Sequence, residues 1–377
     1  MRTIFRFFKK EMMLTVALLA AAVSFWITPP SRALLQGIDW HTLAMLFLML
    51  TVLEGFQKEN IFLPVIQLTS KIHSMLGLSV FLVFAVFFSS MFVTNDVSLI
   101  IFVPLTILLF RAGNKEAYIL PVISMENIAA VRGSLLTPFG SPQNLFLFGQ
   151  SGMSVGRFLA NMLPLWLLSA VLLLGFLCFL YRKNLKERIT FSAHDTAGQW
   201  SKARRKHRIF YLALFVTVLF TIVSRTPHWL AITAILFAAV LLFDRQVLRK
   251  TDYVLILTFL CFFVFSSSVA ANPAISGFLH RAVAGREYWW GILLSQVISN
   301  VPAAIVLYPF TTNLLALLYG VDTAGLCSII GSLASVINYR IYVRAYPGGG
   351  GKFLRVFTFT SLAFFAFVVL PGYFLSR

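Results

Sequence analysis

The run Thr94-Asn95-Asp96-Val97-Ser98-Leu99-Ile100-Ile101-Phe102-Val103-Pro104 returns later in the chain as Ser299-Asn300-Val301-Pro302-Ala303-Ala304-Ile305-Val306-Leu307-Tyr308-Pro309. Both copies open on a hydroxyl residue and Asn, and both place Pro nine residues after that Asn. Thr follows two residues later in each, at Thr106 and Thr311. Two further pairs keep the same order. Upstream, Asp39-Trp40 is matched by Asp252-Tyr253; downstream, Gly133-Ser134-Leu135 is matched by Gly331-Ser332-Leu333. The offsets of 213, 205 and 198 residues drift slowly, as an old duplication with small deletions would.

The duplicated material is apolar. Of 377 residues, 59% are hydrophobic and 12% charged, about half the charged share of a soluble domain. The apolar residues fall into blocks of roughly 15–22, long enough to cross a hydrocarbon core of about 30 Å. Each unit therefore reads as span, span, hairpin, interrupted span, span. Unit one (1–181) uses Met12–Ile27, Trp40–Leu53, the hairpin 75–110, the broken helix 117–150 and Met162–Tyr181. Unit two (228–377) uses Trp229–Phe243, Tyr253–Val269, the hairpin 288–318, the broken helix 323–343 and Phe353–Phe374. Between them, 182–227 holds a basic loop and one linking span, Ile209–Val223. An odd linking span turns the second unit upside down. The expected fold is an all-α polytopic membrane protein of two inverted repeats, with about 11 membrane spans. Hairpin arms of about 15 residues are short for full crossings, so the tips are expected to be re-entrant; two ordinary spans with a tight turn is the alternative.

The net charge of +18 orients the chain rather than marking a nucleic-acid binder. With loops assigned to alternate sides, 24 Lys/Arg fall on one side and six on the other, and Arg132 lies within the membrane. The positive-inside rule then sets the N-terminus in the cytoplasm, Arg182–Arg208 with it, and the C-terminus outside, in an inner (plasma) membrane. The first 30 residues resemble a signal peptide, but Met12–Ile27 has a partner in the second unit and is expected to stay as a span. Cys178, Cys261 and Cys327 lie in apolar segments with no paired spacing, so no disulfide framework or metal site is expected.

Gly133-Ser134-Leu135-Leu136-Thr137-Pro138-Phe139-Gly140-Ser141-Pro142-Gln143-Asn144 interrupts an apolar segment with helix breakers and polar side chains. A broken helix bares carbonyls that suit a hard cation and N–H groups that suit an anion. Ser134, Thr137, Gly140, Ser141, Gln143 and Asn144 are candidate ligands, joined by the hairpin-tip residues Thr94, Asn95, Asp96, Ser299 and Asn300. Gly331–Asn338 is the weaker twin and adds Ser332, Ser335 and Asn338. Three ionisable residues fall inside the membrane, where charges are costly: Asp96, Glu126 and Arg132. They are coupling candidates, or a structural Asp96–Arg132 or Glu126–Arg132 pair.

Thr94-Asn95-Asp96 with its Pro-containing arm, and Leu-Thr-Pro-Phe-Gly-Ser-Pro-Gln-Asn-Leu at 136–145, resemble the ion transporter superfamily. That group includes arsenite permeases, citrate-type carriers and divalent anion/sodium symporters. The likeness spans nearly the whole chain and is greatest to a bacterial anion permease, citrate transporter-like branch. It implies an elevator-type carrier, often a homodimer, with a scaffold and a moving transport domain. It also implies that Thr94, Asn95, Ser299 and Asn300, with Ser134, Thr137, Ser141 and Asn144, line substrate and sodium sites. Sodium–dicarboxylate members carry a hydroxyl as the third tip residue; this chain has Asp96 and Val301.

The expected function is secondary active transport of a small anion, an inorganic oxyanion or carboxylate, across the lipid bilayer. No cofactor is expected beyond sodium or a proton as coupling ion. A cation/proton antiporter with Asp96 as carrier group is the rival. A membrane-embedded enzyme is disfavoured, because the six histidines sit at span ends or in loops and no catalytic motif occurs.

Overall fold

In a computed structural model, residues 11–29, 32–61, 67–184, 187–189 and 205–377 are described. The basic N-terminal residues and most of the 182–208 loop lie outside them. Among the described residues the regular elements are helices, beside one isolated antiparallel bridge between Ser74 and Arg188. The first half holds α1 (Met12–Ile27), α2 (Arg32–Gln36), α3 (Trp40–Lys58), α4 (Met75–Val93), α5 (Asn95–Ala112), α6 (Ile119–Gly133), α7 (Pro142–Ser151) and α8 (Val155–Leu180). After α9 (Arg205–Ser224) come α10 (Trp229–Lys250), α11 (Tyr253–Ala271), α12 (Pro273–Val283), α13 (Glu287–Ile298), α14 (Asn300–Leu307), α15 (Leu314–Ala324), α16 (Leu333–Ala345) and α17 (Gly350–Leu375). Among the described residues, eight helical segments are long and apolar enough to cross a bilayer, and three shorter apolar helices accompany them. The protein is an all-α, multi-pass membrane protein.

Local chemistry repeats along with the helices. Asp39 caps α3 by accepting from the Thr42 N–H, and Asp252 caps α11 by accepting from the Leu255 N–H. The two aspartates share one backbone conformation, φ −79°, ψ 83° and φ −76°, ψ 82°. The side chain satisfies one orphan N–H of the first helical turn in each case. Both repeats end on a 26-residue helix, α8 and α17.

Packing between the repeats is reciprocal. α1 packs on α11 while α10 packs on α3; α5 packs on α16 while α14 packs on α7; α6 meets α16 while α15 meets α7. Such i-to-j and j-to-i pairing is what a two-fold relation requires. Loop contacts then sort into two faces. On one, Arg111 donates to the Tyr346 hydroxyl and the Ala345 carbonyl, Lys115 pairs with Glu187, and Lys58 with Asp244. On the other, Gln150 bonds Asp39 and Tyr308, and Asn313 donates to the Ser376 carbonyl. The broken helix α6–α7 thus runs from the first face to the second, and α15–α16 runs back. Each hairpin returns to the face it left, since Met75 and Lys115 both touch Glu187 and Glu287 holds Thr312 and Asn313.

Three sequence expectations change in detail. The first hairpin's arms are 19 and 18 residues, not about 15, whereas the second's are 12 and 8. The second hairpin does not extend to 318: its return arm closes with a 3₁₀ turn at Tyr308–Phe310, and Leu314 already opens the broken helix placed at 323–343. The register of the breaks also moves. Gly331-Ser332 is equivalent to Gly140-Ser141, 191 residues earlier, because Ser141 and Ser332 are the N-cap residues of α7 and α16. The Gly133-Ser134-Leu135 likeness picked the wrong end of the first break.

Candidate functional site

The two hairpin tips are conformational twins. Thr94 has φ 67°, ψ 155° and Ser299 has φ 70°, ψ 161°, a region essentially reserved for glycine. Holding a side chain there costs about 1–3 kcal/mol per residue, so the surrounding packing must impose it. Each tip is tied to the break of its own repeat. The Thr137 hydroxyl donates to the Met91 carbonyl beside the first tip, and the Asn300 N–H donates to the Gly331 carbonyl at 3.2 Å in the second.

The candidate ligands divide into those that build the breaks and those that retain free polar atoms. Asn144 Nδ2 gathers the carbonyls of Ser134, Leu135 and Thr137 at 3.2–3.4 Å, so it closes the first break on itself. Ser134 donates to the Val131 carbonyl and Ser141 caps α7. A Cβ on Gly140 would collide with the Ser134 carbonyl, so the loop needs glycine there. Three contacts stitch the repeats together: Asn127 Nδ2 to Ser335 Oγ at 3.0 Å, Asn338 Nδ2 to the Ile123 carbonyl at 2.7 Å, and Gln143 Nε2 to Asp322 Oδ1 at 2.9 Å. Asn95 accepts from the Asp96 N–H, and Ser299 Oγ reaches Asn300 Oδ1 at 3.4 Å. Ser332 is buried at the N-cap of α16 with no side-chain cap bond. Buried atoms left without partners include Asn300 Nδ2, Asp96 Oδ1, Asn144 Oδ1 and Asn338 Oδ1. Native proteins leave few such atoms, and they concentrate where a ligand or water completes the bonding.

The arrangement has an electrostatic direction. α5, α14, α7 and α16 all begin at a tip or a break. Each of the four helices thus presents its N-terminus at an interruption of its repeat, and a helix N-terminus favours negative charge.

Neither structural pair offered as the alternative to a coupling role, Asp96–Arg132 or Glu126–Arg132, is formed. Glu126 accepts from the Thr106 hydroxyl on α5 and leaves Oε2 without a partner. Asp96 is half-buried and makes no ion pair with Arg132. Arg132 is fully buried and donates from Nε to Ser169 Oγ at 3.0 Å and from Nη1 to the backbone carbonyl of Asp322 at 3.3 Å. Neither Asp96 nor Glu126 is its partner; the bond from Nη1 ties it to α15 instead. Asp322 is the residue that sequence reasoning missed. It is the one charged residue of the apolar helix Leu314–Ala324, the same signal that marked Asp96. Ending the hairpin at 318 and starting the broken helix at 323 left Asp322 in an apparent loop.

Two cavities occupy equivalent places in the two repeats. One of about 660 Å³ is lined by Phe146, Gln150 and Pro309, with Asp39 and His41 at its rim; the other, about 550 Å³, is lined by Ile337, Ile341 and Pro104, with Arg111, Arg340 and Arg344. The 191-residue offset relates Phe146 and Gln150 to Ile337 and Ile341, and the 205-residue offset relates Pro104 to Pro309. Away from this zone, Glu59, His207 and Asp244 approach one another, but the Lys58 ammonium binds both Asp244 oxygens at 2.8 and 2.7 Å and fills the place of a cation.

Comparison with known proteins fits this geometry. The profile of a family described as citrate transporter matches residues 4–331. The inner membrane protein YbiR of Escherichia coli is 32% identical over 335 residues, 86% of each chain. An uncharacterized transporter of Methanocaldococcus jannaschii is 31% identical over 305 residues, 81% of each chain.

Proposed function

The chain belongs to the citrate transporter family, and on that premise we propose that it is a secondary active transporter of a small anion, an inorganic oxyanion or a carboxylate, coupled to protons or sodium. The observation that carries the anionic reading is that four helices begin at the two tips and the two breaks, with each tip bonded to the break of its own repeat. Their N–H groups and partial positive charges suit an anion held between the repeats. Twin cavities at equivalent places of the two repeats, one beside Asp39 and Gln150 and the other beside Arg111 and Arg344, support alternating access. Elevator movement in a homodimer, with the cytoplasmic N-terminus and outward C-terminus read from the charge bias, completes the proposal.

Asn95 and Asn300 act as paired tip ligands in this reading. The unpartnered Nδ2 of Asn300 supports a donor role toward an anion. A specific observation favours cation/proton antiport as the second reading: Asp96 at the first tip keeps a buried oxygen without a partner, and its twin position is Val301.

Purified protein in proteoliposomes tests both. Uptake of labelled citrate, phosphate, sulfate and arsenite is measured with and without sodium and proton gradients, with counterflow as the diagnostic of a carrier. Saturable anion uptake accelerated by unlabelled anion on the far side is the expected result. Cation-dependent proton movement with no anion flux would move the assignment to antiport, and non-saturating conductance would point to a channel.

A further inference from the structure

Arg132, Gln143 and Asp322 come from three elements, α6, α7 and α15, and two repeats, yet they meet where both broken helices are interrupted. Arg132 is fully buried, and Gln143 and Asp322 are each 2% exposed. Every one of them keeps a buried polar atom without a partner: Arg132 Nη2, Gln143 Oε1 and Asp322 Oδ2. A guanidinium cannot shed its charge in a protein, so a carboxylate beside it is its natural counter-ion. Here, though, Arg132 bonds the backbone carbonyl of Asp322, not its carboxylate, and among the described residues it makes no ion pair. A buried cation and a buried acid held close but not joined is an arrangement with two settings, not a closed structural clasp.

We infer that Asp322 is the proton-carrying group of the transporter and that Arg132 exchanges Asp322 for the transported anion as its counter-charge; this rests on the transport reading above. With Asp322 ionised, it balances Arg132 and accepts from Gln143 Nε2. When Oδ2 takes up a proton, the new O–H has an acceptor ready in Gln143 Oε1, and Arg132 is left as the unbalanced cation. An anion entering between the helix N-termini then supplies the missing negative charge. Loss of the proton from Oδ2 restores the Asp322–Arg132 balance and releases the anion. Proton and anion are bound together and released together, which is symport.

The groups facing Asp322 allow no other acid or base to substitute for it. α6 contributes Arg132 and α15 itself Tyr319; Tyr288 of α13 lies beside Arg132, with Cys327 of the break near Tyr288, and Glu287 of α13 is held at the opposite end of α15 by Thr312 and Asn313. α7 and α14, which also pack on α15, contain no titratable side chain, and the Tyr373 ring of α17 lies against Tyr288. Tyrosine and cysteine ordinarily titrate at alkaline pH, and arginine stays charged.

The test needs no substrate. Infrared difference spectra of purified protein in lipid nanodiscs are recorded between about pH 5 and about pH 9, spanning the interval in which a perturbed carboxyl can titrate. Wild type minus Asp322→Asn isolates this carboxyl from Asp96 and Glu126. The expected result is a protonated-carboxyl stretching band that bleaches as pH rises, is absent from Asp322→Asn and is displaced in frequency in Asp322→Glu. Arg132→Gln should move the midpoint of that band by at least ten-fold in proton concentration. A pH-dependent band identical in wild type and Asp322→Asn overturns the proposal, as does an Arg132→Gln midpoint equal to that of wild type. If Asp322→Asn does not fold, the frequency shift in Asp322→Glu carries the same decision. A titrating band in a protein that moves no anion would instead remove the transport reading and leave the coupled pair standing.

Discussion

Thr94 and Ser299 hold backbone angles that glycine would adopt without strain, which yields a prediction with a clear sign. Thr94→Gly removes a cost of about 1–3 kcal/mol from the folded state and adds chain entropy of under about 1 kcal/mol to the unfolded state. A rise in the thermal midpoint of detergent-purified protein is expected; a fall would show that the Thr94 side chain contributes more than the strain removes. Asn95→Leu and Asn300→Leu should each reduce uptake at least 100-fold while leaving protein in the membrane at normal yield, because leucine supplies neither donor nor acceptor. Near-normal uptake by Asn300→Leu would make the second tip merely structural. Both asparagines were legible in the sequence, since a polar pair recurring within apolar repeats is costly in a bilayer and persists where it has a role. Asn144 was legible as a residue but not as a role: its three carbonyl contacts, at 3.2–3.4 Å, hold the break together.

Between elements, the seam of each hairpin against its half-helix is closed by glycine. A Cβ on Gly133 would meet the Phe87 carbonyl and Ser90 hydroxyl of α4, and one on Gly320 would meet the Tyr288 carbonyl of α13. Small residues let helices approach closely in membranes, where packing drives their association. Gly133→Ala and Gly320→Ala should each cost about 1–3 kcal/mol, since backbone atoms cannot swing aside. The measurement is the thermal midpoint of each variant, and two unchanged midpoints would mean that the arms slide freely on the half-helices. Helix existence was readable from apolar block length, and the caps Asp39 and Asp252 were readable as a repeated pair. Element ends in the second repeat were not. Its hairpin has a return arm of 8 residues where the first has 18, so a register fixed at the tip fails by the break.

At the scale of the whole molecule, the two faces defined by loop contacts predict opposite sides for the two ends. A reporter fused at the N-terminus should read cytoplasmic and one at the C-terminus external, in line with the 24-to-6 division of Lys/Arg. Both reading the same side would break the inverted relation of α6–α7 to α15–α16. The sequence by itself determined the membrane class and the polar interruptions, and it set the expectation of an inverted duplication, because each follows from composition or spacing along one dimension. A bilayer enforces these directly: apolar length decides what crosses, and parity decides orientation. Only the tertiary structure decided which buried ionisable residues become neighbours. Arg132 and Asp322 are 190 residues apart, and their contact depends on how one repeat's half-helix crosses the other's. The twin strain at Thr94 and Ser299 was likewise invisible, since threonine and serine have no preference for that conformation and adopt it only where packing on both sides leaves no alternative.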